Sequence, residues 1–192
     1  MSLMLITPPL VPVLSLEEAK RHLKVDGDAE DDVIETYIDT ATRRLDGEAG
    51  LLGRCLLEQE WLLTLGGFSP EIRLPLPPTI SVDRITYVNA AGDHVTIDPE
   101  RYHVSGLGTL AGATIRPRGS WPTPAGPDPV MIEFTAGFGS DPTDVPEQLR
   151  QAIRELVAHF HEIREPAIVG AGAHAVPYGF EDLIADFRVR EF

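Results

Sequence analysis

The stretch Asp31-Asp-Val-Ile-Glu-Thr-Tyr-Ile-Asp-Thr-Ala-Thr-Arg-Arg-Leu45 carries the clearest structural signal in the chain. Its apolar residues recur at intervals of three and four, which is the period of an amphipathic α-helix. Two aspartates open the stretch and two arginines close it, so the charges at both ends suit the helix dipole. The sequence therefore predicts a long helix with one buried face. The apolar positions are Val33, Ile34, Tyr37, Ile38, Ala41 and Leu45.

A shorter helix is predicted upstream of this stretch, and a third near the other end of the chain. Ser15-Leu-Glu-Glu18 has the residue types of a capping box, in which the serine and the glutamate each satisfy a backbone N–H. Helical period returns after Pro146 and stops before Pro166. Because two amphipathic stripes need apolar partners, we expect the helices of about 15–50 and 146–165 to pack together.

The segment between these helices, about 56–136, has the period of two that is typical of strands. Trp61, Leu63 and Leu65 alternate with other residues, and a hairpin is predicted for 80–97 around Asn89-Ala-Ala-Gly-Asp93. The predicted fold is α+β: a helical core formed by the N- and C-terminal helices, with an inserted small antiparallel β module. An extended C-terminal tail is expected at about 176–192, and the whole chain, 1–192, is expected to form a single domain. Further strand candidates are 72–74, 102–104, 113–115 and 130–135.

The charge balance restricts the partners of the chain. Sixteen Lys and Arg stand against 30 Asp and Glu, a formal net charge of −14. Such a chain is not expected to grip nucleic-acid phosphates over much of its surface, nor to dock on an anionic membrane. DNA passing nearby remains compatible with this charge, although acidity also serves solubility alone. No apolar run approaches a bilayer-spanning length and the N-terminus does not resemble a signal peptide, so a soluble protein is expected.

Searches for catalytic chemistry give no candidate. His159 and His161 lie two positions apart, so on a helix they point about 200° from each other and cannot ligate one ion. Gly170-Ala-Gly172 follows a helix stop, whereas a dinucleotide fingerprint precedes a helix. Cys55 is the only cysteine, which excludes an internal disulfide, and it is interpreted as a core thiol. We therefore predict no catalytic residues, no metal, no cofactor and no enzymatic activity.

Two segments have the composition of interaction surfaces. Trp121 lies in a Pro-rich loop, 116–129, where a large aromatic side chain serves either as an interface anchor or as a cap on the core of the β module. Near the C-terminus, two aromatic residues and two arginines fall within six positions, and such a segment is expected to dock on a partner. Its candidate partner-binding residues are Phe187, Arg188, Val189, Arg190 and Phe192.

The order of segments along the chain resembles one known family. The resemblance is carried by Ser15-Leu-Glu-Glu-Ala-Lys-Arg-His-Leu-Lys-Val25, Asp31 to Ala41, Arg73-Leu-Pro-Leu-Pro-Pro78, Ser81 to Val88, Trp121-Pro122, Phe134-Thr-Ala-Gly137, and Val145-Pro146 followed by 152–165. Together they are similar to the head–tail connector (adaptor) proteins of long-tailed phages, prophages and gene transfer agents. The resemblance runs from about 15 to 190, and the ordered set carries it rather than one short motif.

This resemblance implies a structural virion protein rather than an enzyme. It implies a ring of twelve identical subunits beneath the portal protein, extending the DNA channel and offering a surface to the next connector or tail protein. DNA would pass through the lumen without sequence-specific binding, and we hypothesise that an acidic lumen lets it slide. The expected location is the head–tail interface of a virion, after synthesis in the bacterial cytoplasm. The C-terminal segment is the candidate portal contact.

Three alternatives differ in class. The first is another virion structural role, that of a head-completion or tail-terminator protein. The second is a ligand-binding β module, which predicts a concave pocket lined by aromatic residues such as Trp61, Tyr87 and Trp121. The third is a hydrolase that uses scattered carboxylates, which requires a deep cleft with displaced pKa values.

Overall fold

The structure is a computed structural model that describes residues 1–163 and 179–189. Helices and antiparallel sheets are both present, so the predicted α+β class is confirmed. The chain divides into two compact units. The β unit comprises residues 1–10 and 54–140, and the helical unit comprises 11–53 with the described part of 141–192. The expectation of a single domain stays a prediction.

The helical unit contains four helices: α1 (Leu16–Leu23), α2 (Asp31–Leu45), α3 (Glu147–Glu162) and α4 (Phe180–Ala185). The capping box at the start of α1 is formed as predicted. The Glu18 N–H donates to Ser15 Oγ over 3.2 Å, and the Ser15 N–H donates to Glu18 Oε2 over 3.1 Å. Helix α2 has the bounds that its sequence predicts, because the apolar period and the charged residues at its two ends mark the same limits.

Helices from the two ends of the chain pack together in this unit, as the sequence predicted. The Tyr37 and Phe160 rings lie 6.1 Å apart, joining α2 to α3. Val33 departs from the expectation: it was assigned to the buried stripe but is 42% exposed, because the buried arc is centred on Ile34. The buried side chains of α2 and α3 include Ile34, Ile38, Ala41, Leu45, Leu149, Ala152, Ile153, Leu156 and Val157.

The expectation of an extended C-terminal tail is wrong for its described part. Residues Phe180–Ala185 form a helix, and the side chains of Phe180 and Ile184 are buried. These two residues are four positions apart, so one face of a helix buries both. Burial of this face accounts for helix where a tail was expected.

The β unit contains eight strands in two sheets: β1 (Ser2–Thr7), β2 (Gln59–Leu65), β3 (Ile72–Arg73), β4 (Thr79–Val88), β5 (His94–Thr96), β6 (Tyr102–Ser105), β7 (Thr114–Pro117) and β8 (Val130–Ala136). Five strands form one sheet in the order β1-β2-β8-β4-β5, and three form the other in the order β3-β7-β6. All named strand pairs are antiparallel. The predicted β4–β5 hairpin and the antiparallel module are therefore present.

The core of the β unit collects apolar side chains from both sheets. In the register of β2 with β8, Trp61 lies opposite Phe134 and Leu63 lies opposite Ile132, so alternate residues of both strands point to one buried face. Cys55 is fully buried in the same core, which agrees with its interpretation as a structural thiol. The remaining core residues include Ile72, Ile85, Tyr102, Ile115 and Val130.

Strand β1 was not among the sequence predictions, which placed the β module at about 56–136. It pairs with β2, so that Met4 lies opposite Leu62 and Leu5 lies opposite Trp61. The two strands are separated in the chain by α1 and α2. The pairing is therefore long-range, and local sequence pattern does not reveal it.

Candidate interaction surfaces

Trp121 packs at the margin of the β-unit core. Its ring stacks on Phe68 with 4.7 Å between centroids and an interplanar angle of 11°, and its Nε1–H donates to the Ser69 carbonyl over 2.8 Å. Tyr87 meets the same Phe68 ring edge-on at 6.1 Å. The side chain is half-buried against the core. Of the two roles that the sequence left open for Trp121, the geometry shows a core cap, and its role as an interface anchor stays a prediction.

The aromatic residues suggested for a ligand pocket lie in the β-unit core or pack against it. Tyr87 and Trp121 both contact Phe68, whereas Trp61 is 7% exposed inside the core. Since the Trp121 and Phe68 faces cover each other, the rings are occupied by packing. This arrangement gives the ligand-binding alternative no geometric support.

The described part of the C-terminal segment lies against the chain's own helical unit. The Val189 N–H donates to the Leu52 carbonyl over 2.9 Å, and Arg188 donates to Glu181 over 2.6 Å. Phe187 and Arg188 are half-buried and Val189 is exposed. The segment is thus ordered by internal contacts up to Val189. Arg190 and Phe192 lie outside the described residues, and the role of all five residues in portal binding stays a prediction.

A charged network joins α1 to α3. The Arg150 guanidinium donates to Glu18 over 2.5 Å and to Glu147 over 3.2 Å, and Arg154 also pairs with Glu147. Partial burial acts to raise the pKa of Glu18. Hydrogen bonds from the Ser15 backbone and from Arg150 outweigh it, so the pKa of this carboxyl lies below its ordinary value. Glu18 therefore both caps α1 and ties it to α3.

His161, one of the two histidines near the end of α3, pairs with a carboxylate. His161 Nε2 lies 2.9 Å from Glu30 Oε2, which joins the end of α3 to the start of α2. In the part of the chain that the structure describes, no group of three His, Cys, Asp or Glu side chains is arranged to hold a metal ion. Likewise, no helix among the described residues is long and apolar enough to cross a membrane.

The negative charge is concentrated in the helical unit. Residues 11–53 and 141–192 of the sequence carry 21 of the 30 acidic side chains and 10 of the 16 basic ones, a net charge of −11. The β unit carries the remaining nine acids and six bases, a net charge of −3. The net negative charge therefore belongs mainly to the helical part of the sequence and much less to the β unit.

Sequence reasoning missed an apolar surface at the N-terminal edge of the β unit. Met4 is 57% exposed and Leu10 is 95% exposed, and Leu5 and Ile6 are also exposed. The signal was available, since Ser2-Leu-Met-Leu-Ile-Thr7 ends at Pro8-Pro9 and has the length and composition of an edge strand.

Comparisons with known proteins agree with one another. Residues 13–87 match the family of phage gp6-like head–tail connector proteins. No curated protein matches the chain significantly. Among solved structures, the chain is similar to a protein in the neck of an empty gene transfer agent (GTA) particle solved with C6 symmetry. The identity is 26%, the match covers 100% of this chain and 98% of that chain, and the TM-score is 0.81.

Two further solved structures are similar over the same extent. One is in the virion of a native GTA particle, with 27% identity and a TM-score of 0.81, and the other is in the neck of a native GTA particle solved with C12 symmetry, with 26% identity and a TM-score of 0.73. Each match covers 100% of this chain and 98% of the other. These matches support a structural role as a head–tail connector of a virion, which is the role that the sequence predicted. The neighbours are neck and virion components, and the C6 and C12 assemblies support an oligomeric ring.

Proposed function

We propose that this chain forms a ring of twelve subunits that binds the portal protein on one side and the next connector or tail protein on the other. The observation that carries the proposal is the likeness over the full chain to neck proteins of GTA particles, one of them in a C12 assembly. A ring of this kind joins capsid to tail by surface contacts alone.

The portal contact is assigned to the C-terminal segment that begins at Phe187. Up to Val189 this segment is held against the helical unit by the Val189–Leu52 and Arg188–Glu181 contacts. Because Phe187, Arg188 and Val189 are already held in place, their own ordering would cost little entropy on binding. Exposed Val189 lies at the point where the described residues end.

The helical unit is proposed to face the DNA channel. It carries a net charge of −11, and a negative wall repels the phosphate backbone, so DNA passes without sequence-specific binding. A ring structure with a predominantly basic lumen would remove this part of the proposal.

The experiment that tests the function is negative-stain imaging of this protein mixed with the portal ring encoded nearest to its gene. A second ring stacked on the portal is the expected result. Two separate particle populations at micromolar concentration would overturn the portal assignment and favour a head-completion or tail-terminator role.

Tail variants sharpen the same experiment. Removal of residues 190–192 leaves the Val189–Leu52 hydrogen bond in place, so the variant is expected to fold and to lose portal binding. Exchange of exposed Val33 for glutamate on α2 is the matched control, because it changes an exposed apolar residue far from this segment in the chain. Undiminished portal binding by the truncated protein would remove the C-terminal assignment while leaving the ring intact.

A further inference from the structure

The outer edge of β1 is an apolar strand edge with little protection. It is the terminal strand of the five-stranded sheet, and among the described residues no strand pairs with its outer side. The backbone N–H and C=O groups of successive residues in β1 point alternately toward β2 and outward, so the outward-facing groups form an open edge. Four exposed apolar residues in this region are here called the N-terminal edge patch: Met4, Leu5, Ile6 and Leu10. Leu10 is the most exposed of them, at 95%.

Free strand edges usually carry protective features, and this one carries few. Proteins block such edges with charged side chains, prolines and bulges, because an open edge is a template for pairing with another chain. Residues 1–10 contain no charged side chain. The protection consists of a register shift between Leu5 and Thr7 and of Pro8-Pro9 beyond the strand. An edge of this composition is suited to being covered by another protein surface.

A second exposed apolar patch lies at the opposite edge of the same sheet. Strand β5 pairs only with residues 86–88 of β4, so the first half of β4 forms this edge. The loop after β6 lies beside it, since the Gly108 N–H donates to the Thr79 carbonyl over 2.9 Å. Ile80, Leu107 and Leu110, here called the loop patch, are all exposed. Register shifts at 79–81 and 82–84 disfavour strand pairing there, so contact through side chains is expected.

The charge distribution indicates which partner covers these patches. Two copies of a chain at −14 repel each other, so the surfaces through which they touch must be poor in like charge. Residues 1–10 and 104–115 contain no charged side chain at all. These two stretches, which carry most of both patches, are therefore surfaces on which two identical acidic subunits can meet with little electrostatic cost.

We propose that the N-terminal edge patch of one subunit packs against the loop patch of the next copy of this chain, and that this contact closes the ring. A ring requires two different, complementary patches on each subunit, related by a rotation that closes. The two patches lie on opposite edges of one sheet, which is the arrangement that a head-to-tail contact needs. The inference rests on the ring of the proposed function and names its subunit interface.

Cysteine cross-linking tests this contact directly. Cys55 is fully buried, so the parent protein offers no accessible thiol, and Leu10→Cys combined with Leu107→Cys places one thiol on each patch. With a short bis-maleimide, portal-bound protein is expected to give a ladder of covalent oligomers. Each single variant should give dimers at most. Because adjacent thiols have an effective concentration near the millimolar range, the yield should exceed that of the Leu10→Cys, Val33→Cys control pair about tenfold or more at micromolar protein.

A charge variant provides the second measurement. Met4→Glu with Leu10→Glu alters two strongly exposed positions, so the fold is expected to persist, as circular dichroism would verify. The variant should remain monomeric, in solution at high concentration and on the portal, where the parent forms a ring.

The outcomes separate the inference from the function on which it rests. A stacked ring on the portal, together with a cross-linking yield no higher than that of the control pair, overturns the proposed contact and leaves the connector function standing. If no ring forms on the portal, the portal assignment fails. Cross-linking at high protein concentration in solution then decides the contact: a ladder supports it, and the absence of a ladder overturns it.

Discussion

At the scale of single residues, Glu18 connects a local signal to a tertiary contact. It completes the capping box of α1, which the sequence predicts, and it also accepts from Arg150 of α3, which the sequence does not predict. Both contacts favour the ionised carboxylate, and they explain why the pKa of Glu18 is lowered although partial burial acts to raise it.

Glu18→Gln is expected to destabilise the protein in a pH-dependent way. Glutamine keeps the shape and the cap but removes the charge, so the loss at neutral pH should be about 1 kcal/mol for this partly exposed pair. The folded pKa lies below the ordinary value of 4.5, so the stabilisation is fully present above that pH and disappears as the pH falls through the folded pKa. Urea denaturation of both proteins between neutral and acidic pH measures this.

The neighbouring glutamate provides the control for that experiment. Glu17 is highly exposed, and among the described residues it pairs along its own helix with Arg21, so Glu17→Gln should change stability little at any pH. Equal effects of the two substitutions, or a Glu18 effect that grows in acid, would contradict the assignment of the lowered pKa to the α1–α3 contact.

Gly137 is a second residue whose role can be measured. Its φ is +138°, and a Cβ atom there would lie 2.4 Å from the Leu57 backbone. Any side chain at this position would therefore push the backbone segments at 137 and 57 away from each other. We expect Gly137→Ala to lower the thermal midpoint and to cost about 1–3 kcal/mol. Gly66→Ala meets open space and should be nearly neutral. If Gly137→Ala leaves the stability unchanged, the backbone at Leu57 can move to make room for the added methyl group.

At the scale of elements, α2 shows how one buried face holds a helix in place. Its buried residues and the Tyr37–Phe160 ring contact join it to α3, while its charged ends suit the helix dipole. The helix is thus specified twice, by its own sequence and by the surface on which it packs.

Two adjacent residues of α2 test this account. Ile34 is fully buried and Val33 is 42% exposed. Ile34→Ala should cost about 2–4 kcal/mol, because it removes buried methylene groups and leaves a cavity. Val33→Ala should stay within about 0.5 kcal/mol. Chemical denaturation followed by circular dichroism compares them, and similar costs at both positions would mean that the buried face is misassigned.

At the scale of the whole molecule, charge is divided unevenly along the chain, and the proposed function gives the two kinds of region different tasks. The helical unit carries most of the acidity, whereas residues 1–10 and 104–115 of the β unit carry no charged side chain. A like-charged wall suits passage of DNA, and an uncharged surface suits contact between identical subunits.

This division predicts how self-association depends on salt. The Debye length is about 10 Å at 0.1 M salt and about 3 Å at 1 M, so added salt screens the repulsion between subunits of charge −14. Apolar contacts are not weakened by this screening, and association should therefore strengthen as salt rises. Sedimentation velocity at low and high sodium chloride measures it, with sucrose as an uncharged control. Dissociation in high salt would instead point to an interface built from ion pairs.

The sequence by itself determined those features that a few neighbouring residues specify. The capping box at Ser15, the bounds of α2 and the β4–β5 hairpin all depend on contacts within one segment, where period and end residues suffice. The ordered set of segments also carried the family resemblance, and with it the connector function. Trp121 shows where prediction from the sequence stops. The sequence places this residue in an irregular loop, but it does not reveal that the ring stacks on Phe68.

Only the tertiary structure decided the features that join distant segments. Residues 2–7 become a strand because β2 offers them an edge more than fifty positions away, and Val189 is placed by the carbonyl of Leu52. A short apolar segment is compatible with several structures until it is known which segment it packs or pairs with. Period and composition describe the segment itself and not that neighbour. For this reason the two exposed patches at opposite edges of one sheet became visible only when the strand order was known.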